Sequence, residues 1–164
     1  MSTLSAAGIP ARDAFTEIPV RNFVSFWVGG RLHGIDNLDV REINSEVTFT
    51  PIFHAPPQVR GYVNIRGQIH LVIDPRIPLG LSDAPPGGPT GKSRKQLLVF
   101  KPQVGETFAL QVDRIGDIIQ APIDRIEPPE ASSAGTSVHS AGVCKLDGLL
   151  MELLDPRGFL NLGG

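Results

Sequence analysis

The sequence is short of thiols, long apolar runs and charge of one sign, and each shortage removes a class of protein. A single cysteine, Cys144, among 164 residues excludes an intrachain disulfide framework and any multi-thiolate zinc site, and fits a reducing compartment. No apolar run approaches the roughly 20 residues that a membrane-spanning helix needs. Residues 1–14 have neither a basic start nor an apolar stretch, so no signal peptide is expected there. Seventeen acids against 15 bases leave a net charge of −2, which gives no reason to expect nucleic acid or an anionic membrane as the main partner. The expectation is a soluble, cytoplasmic protein that does not insert into membranes.

Backbone punctuation is what the chain has in excess. Its 18 glycines and 15 prolines make up about a fifth of the residues, against a usual share of roughly 12%. Long helices have little room in such a chain; short strands joined by turns suit it. A hydrophobic content of 41% is enough to build a core, so wholesale disorder is not expected. The length fits one domain or two small subdomains sharing a core.

Residues 1–21 read as a flexible arm. A strand is expected over 23–28, closed by Gly29-Gly30, with its return over 31–35. Asp36 can cap a short helical turn carrying Leu38, Val40 and Ile43, and a further strand is expected over 47–52. Pro56-Pro57 permit one helical turn at most before Gly61. The clearest period-2 segment is 68–74, with Ile69, Leu71 and Ile73 expected on the buried face. The Pro/Gly/Ser-rich stretch 81–95 reads as a solvent loop and the boundary between subdomains. Strands resume over 96–101, 107–112 (with Phe108, Leu110 and Val112 inward), 115–120 and 149–154, and 128–142 reads as a second polar loop. Val72-Ile73-Asp74-Pro75-Arg76 is echoed by Leu153-Leu154-Asp155-Pro156-Arg157. In each, aspartate can cap and proline fits the first position of a helical turn, which suggests a duplicated β-barrel of about five strands per half.

No enzyme signature survives inspection. Gly87-Gly88-Pro89-Thr90-Gly91-Lys92-Ser93 looks like a phosphate loop, but only three residues separate Gly87 from Gly91-Lys92-Ser93 where the pattern needs four. His33, His54, His70 and His139 are scattered, without the close spacing a zinc site uses. Cys144 lies near His139 and Asp147 in sequence, yet no nucleophile elbow accompanies it. Asp124 and Glu127 resemble a capping box that Pro128-Pro129 would stop within a turn. No cofactor and no metal are expected.

The run Gly61-Tyr62-Val63-Asn64-Ile65-Arg66-Gly67-Gln68-Ile69-His70-Leu71-Val72-Ile73-Asp74-Pro75-Arg76 resembles the signature of the CheW family of chemotaxis coupling proteins: a glycine, Asn-Leu/Ile-Arg-Gly, an alternating strand and Asp-x-Arg. Residues 26–35 are similar to the family's first hairpin, Val40-Arg41-Glu42-Ile43 to its Val-x-Glu-Ile segment, and 107–119 to a later strand pair, while Leu71 and Pro75 depart from the usual residues. The resemblance covers roughly 22–162. It implies an all-β fold of two five-stranded, SH3-like barrels around a shared core. It also implies a non-catalytic adaptor linking the cytoplasmic tips of methyl-accepting chemoreceptors to the regulatory domain of a CheA-type histidine kinase, recruited to membrane-associated receptor arrays. Carried over residue by residue, it makes Arg66 the coupling arginine, Gly61 the glycine opening its turn, and Val40 and Glu42 the partner-facing Val-x-Glu; Asn64 belongs to the same turn.

Two other functions fit a small barrel. One is a generic peptide-binding module. The other is an RNA-binding barrel, which needs clustered cations interleaved with aromatics; Lys92, Arg94 and Lys95 form the only cluster, with no aromatic before Phe100.

Overall fold

The computed structural model of the chain describes residues 18–45, 49–81, 95–105, 107–129 and 140–160. Eleven strands account for most of them: β1 (Val20–Val28), β2 (Arg31–Asp36), β3 (Val40–Asn44), β4 (Val59–Ile65), β5 (Gln68–Ile73), β6 (Gln96–Phe100), β7 (Phe108–Val112), β8 (Arg114–Pro122), β9 (Ile126–Glu127), β10 (Ser140–Leu146) and β11 (Leu149–Leu154). The helical pieces among the described residues are single 3-10 turns at Asn37–Asp39, Pro102–Val104, Ile123–Arg125 and Pro156–Leu160. The density of glycine and proline leaves strands as the dominant element, as the composition implies.

The strands form two sheets. One runs β8-β1-β2-β11-β10-β9 and the other β3-β6-β7-β5-β4. All neighbours are antiparallel except β2 with β11 and β5 with β7. The two sheets therefore have the same plan: an antiparallel hairpin (β1-β2 or β6-β7), flanked by a lone strand (β8 or β3), laid parallel against a second hairpin (β10-β11 or β4-β5). Each half of the sequence places its first hairpin in one sheet and its second hairpin in the other. The 81–95 stretch, expected to separate the subdomains, instead joins β5 to β6 within one sheet; of it, residues 82–94 lie outside the described residues. The chain changes sheet at Asn37–Asp39 and at Asp113.

Three apolar clusters follow from this plan. Phe23, Leu32, Ala121, Cys144, Met151 and Leu153 fill the first sheet's own interior. Val63, Ile65, Val72, Leu97, Val99 and Ala109 fill that of the second. Between the sheets lies a larger shared core that includes Phe26, Ile35, Ile73, Phe100, Phe108, Leu110 and Leu154. Phe159, on the last 3-10 turn, also plugs into it. Two subdomains built around a common core are the fold class expected from the sequence.

Several local expectations need correction. β1 begins at Val20 and pairs with Pro122 and Ala121, so residues 20 and 21 belong to the sheet and not to the arm. Asp36 does cap a turn, its carboxylate accepting from the Leu38 N–H at 2.9 Å. The turn is over by Val40, however, and Val40 and Ile43 lie on a strand. Of the strand expected over 47–52, residues 47 and 48 lie outside the described residues, and the remainder contributes one bridge, between Thr50 and Tyr62. Residues 59–65, read only as the sequel to a proline turn, form β4. The second loop ends sooner than expected, because residues 140–142 already pair with β11. On β5 the face is inverted at its start: Ile69 is exposed and Leu71 half-buried, whereas His70, Val72 and Ile73 are buried. Pairing with β7 begins only at Leu71, opposite Phe108, so Ile69 extends past the strand that would have covered it.

The Asp-Pro-Arg echo is structural and extends further than five residues. Residues 61–76 correspond position for position to 142–157. Both begin with a glycine at a register shift, Gly61 at φ 144° and Gly142 at φ 124°. Both end with an aspartate accepting from the arginine N–H two residues on, at 3.0 Å in each case.

Candidate functional site

The residues singled out in the sequence meet at one end of the second sheet. Arg66 and Gly67 form a two-residue turn between β4 and β5, with Ile65 opposite Gln68. Both have positive φ, 52° and 83°, the geometry that matches the twist of a tight hairpin. The Asn64 side-chain oxygen accepts from the Gly67 N–H at 2.9 Å and holds the turn closed. Glycine suits such a position and arginine does not; a non-glycine residue there costs on the order of 1 kcal/mol. The Arg66 side chain is nevertheless three-quarters exposed.

β3 lies at the far edge of this sheet, yet the sheet curls until it meets the turn. The Arg66 Nε lies 3.4 Å from the Glu42 carboxylate, and the Arg41 guanidinium donates to the Gln68 side-chain oxygen at 2.7 Å. Glu42 is mostly buried beside Arg66. Val40, two residues earlier, pairs with Phe100 and packs half-buried against the shared core. Gly61 is buried beneath Thr50, and a Cβ on it would stand 2.2 Å from the Thr50 carbonyl oxygen. The five residues thus divide by geometry. Arg66 projects, Glu42 and Asn64 hold it in place, Gly61 shapes the strand behind it, and Val40 anchors β3 to the core.

Sequence reasoning missed what surrounds the tip. Ile69 faces solvent opposite Asn64, and Tyr62 is half-exposed on the same strand. Phe53 is 91% exposed in the β3–β4 connection, where His54 also has positive φ (61°). Pro51 and Pro56-Pro57, which flank that segment, were the available signal of a braced connection.

Chemistry elsewhere is sparse among the described residues. No three His, Cys, Asp or Glu side chains come together as a metal site. Cys144 is enclosed in the first sheet's interior, and burial pushes its thiol upward against a smaller opposing effect of Arg125. His139 and the phosphate-loop lookalike at 87–93 lie outside the described residues, as do Lys92 and Arg94; Lys95 pairs with Asp113 at 3.6 Å. Asp124 lies inside a single 3-10 turn, Ile123–Arg125, whose cap position is Pro122, so it does not stand where a capping box would need it. No helix among the described residues is long and apolar enough to cross a membrane.

Comparison with known proteins agrees with the fold. The chain is 26% identical over 136 residues to the chemotaxis protein CheW of Rhizobium meliloti, covering 82% of this chain and 84% of that relative. It is equally similar over 143 residues to the chemotaxis protein CheW of Klebsiella aerogenes, covering 86% and 82%. The crystal structure of the scaffolding protein TtCheW from Thermoanaerobacter tengcongensis superposes with a TM-score of 0.76 at 25% identity, over 89% of this chain and 96% of that one. The description that matches residues 22–163 is the CheW-like domain. With the match extending over nearly every described strand, the chain belongs to the CheW-like domain family.

Proposed function

We propose that the protein is a non-catalytic adaptor that couples transmembrane chemoreceptors to the regulatory domain of a CheA-type histidine kinase, working in the cytoplasm at membrane-associated receptor arrays. Its kinship with chemotaxis scaffolds supports the class. The observation that carries the assignment to particular residues is Arg66. It occupies a turn position that glycine would fill at lower cost, and three-quarters of its side chain stays in solvent. Backbone strain retained at an exposed cation is better explained by recognition than by packing.

The guanidinium presents a planar fork suited to a partner's carboxylate or carbonyl oxygens, while Glu42 and Asn64 fix its base. Val40 and Gly61 contribute by holding β3 and β4 in position. The pair with Glu42 is long, at 3.4 Å, and its cation stays in solvent, so it contributes about 1 kcal/mol or less to stability. Arg66→Ala is therefore expected to weaken binding on the order of 30-fold, the effect of losing an interface arginine worth about 2 kcal/mol. Its melting temperature stays within about 3 °C of the parent. Titration of purified variant against receptor fragments and the kinase regulatory domain, beside a thermal melt, checks both halves. Unchanged affinity for both partners defeats the assignment of Arg66, and recovery of neither partner by the parent protein defeats the adaptor reading itself.

A further inference from the structure

The two halves of the fold differ at one buried ring. In the second sheet Phe100 on β6 stacks on Phe108 of β7 with ring centroids 4.8 Å apart. The corresponding pair in the first sheet is Phe26 on β1 and His33 on β2, stacked at 5.6 Å. A histidine thus stands where the duplicated plan has a phenylalanine. It has no solvent exposure, and neither Nδ1 nor Nε2 has a hydrogen-bond partner. An imidazole enclosed in this way favours its neutral form, because the charged form has no water and only the Glu152 carboxylate and the Arg31 backbone to compensate its burial.

His33 also lies on one of the two parallel seams, that between β2 and β11. It lies opposite Glu152, and Leu153 lies opposite Gly34; these two positions are all that register β2 against β11, whereas β5 and β7 are registered by three. From β11 the facing charged group is Glu152, whose carboxylate stands 3.6 Å from Nε2 but is itself 43% exposed. On β2 the group is Arg31, whose charge opposes protonation although its backbone favours it. β1 faces the ring with Phe26, flanked by Val24 and Val28, and offers no charge.

We propose that His33 makes the β2–β11 seam an acid-sensitive joint, which opens on protonation and releases the C-terminal hairpin β10-β11 from the N-terminal hairpin β1-β2. Burial is the main reason that the closed seam resists the proton, and it brings the His33 pKa down from 6.5 to about 4. Between those values the open seam binds more protons than the closed one, so closure is complete above pH 6.5 and weakens as the pH falls toward 4. The β5–β7 seam has Phe108 in the same place and serves as the internal control in a His70→Phe background, which removes the buried histidine that β5 places beside it.

Hydrogen exchange on the whole chain carrying His70→Phe, followed at amides of 33–35 and 152–154 against those of 71–73 and 108–110, tests the proposal, since the ratio between seams cancels the intrinsic pH dependence of exchange. From pH 8 to pH 5 the opening constant of the β2–β11 seam should rise about 30-fold relative to the control. With His33→Phe added the ratio should not change with pH. A His70→Phe ratio that is constant with pH, a loss of protection shared equally by both seams, or the same pH dependence once His33→Phe is added overturns it. If the double variant does not fold, the His70→Phe ratio decides alone; if His70→Phe does not fold, the β2–β11 amides of the wild type against those of His33→Phe decide instead. The outcome is independent of which partners the protein binds.

Discussion

Gly61 and Gly67 lie six positions apart on the same hairpin and do different things. At Gly61 the φ of 144° and the Thr50 carbonyl, 2.2 Å from where a Cβ would be, leave no room for a side chain. At Gly67 the φ is 83° and nothing stands within 4 Å. Gly67→Ala should thus cost only the left-handed strain, about 1 kcal/mol. Gly61→Ala must also push the Thr50 backbone away and break its two hydrogen bonds with Tyr62, of 2.7 and 2.8 Å, for a total of roughly 3 kcal/mol. Urea unfolding of both variants measures the difference. Similar midpoints would mean that the Thr50 bridge yields without cost. Arg66 lies beside this pair and shares its conformation without sharing its freedom, which is why the physical argument for recognition rests on that residue and not on the glycines.

Most strands could be read from the sequence, because alternation survives wherever one face is covered and the other is not. β1, β2, β6, β7 and β11 have clear turn or proline punctuation at one end, and the sequence places strands over 23–28, 31–35, 96–101, 107–112 and 149–154, short of the first residues of β1 and the last of β2. β7 is buried on both faces, so the inward positions Phe108, Leu110 and Val112 were identified without the equally buried Ala109 and Gln111. Ile69 misled because burial at a strand end depends on how far the neighbouring strand reaches, which is a property of the sheet and not of the segment. For the candidate site, the motif around Arg66 was visible locally. That β3 curls round to meet it was not, since Arg41 to Gln68 is a tertiary pairing with no trace in spacing. The duplicated Asp-Pro-Arg element, by contrast, was legible, and its two copies differ in burial. Asp74 and Arg76 are paired at 2.9 Å with 5% and 13% of their side chains exposed, whereas Asp155 and Arg157, at 3.4 Å, are 42% and 50% exposed. Asp74→Asn should cost about 3 kcal/mol and Asp155→Asn less than about 1 kcal/mol, as read from denaturant midpoints; equal costs would show that burial does not matter here. Burial acts to raise the Asp74 pKa, but the Arg76 hydrogen bonds and charge, with Lys95, outweigh it and hold the carboxyl below 3.8. Its contribution is accordingly complete above that pH and lost as the pH falls through the lowered value in the folded protein, so acid melts of Asp74→Asn and the parent should converge below pH 3.8.

At the scale of the molecule, neither half of the sequence contains a complete sheet. Residues 1–81 supply β1 and β2 to one sheet and β3, β4 and β5 to the other; the remainder supplies the complement. Fragments 1–88 and 89–164, made separately, should each lack stable tertiary structure and should acquire β-sheet when mixed, with circular dichroism and hydrogen exchange as the measurements. Independent folding of either fragment would show that the exchange of hairpins is dispensable. The shared core strengthens the expectation, since Phe26, Ile73, Phe100, Phe108 and Leu154 come from both halves and meet at one place. The same interlacing sets a timetable during synthesis. The sheet built on β3 and β6 has all its strands once Val112 has emerged from the ribosome, but the one that opens the chain must wait for Leu154. Until then the first hairpin to be made has its Phe23 and Leu32 without the Met151 and Leu153 that cover them in the finished protein, so the oldest part of the nascent chain is the last to be sheltered, and a pause or truncation late in translation leaves it the part most open to chaperones and proteases.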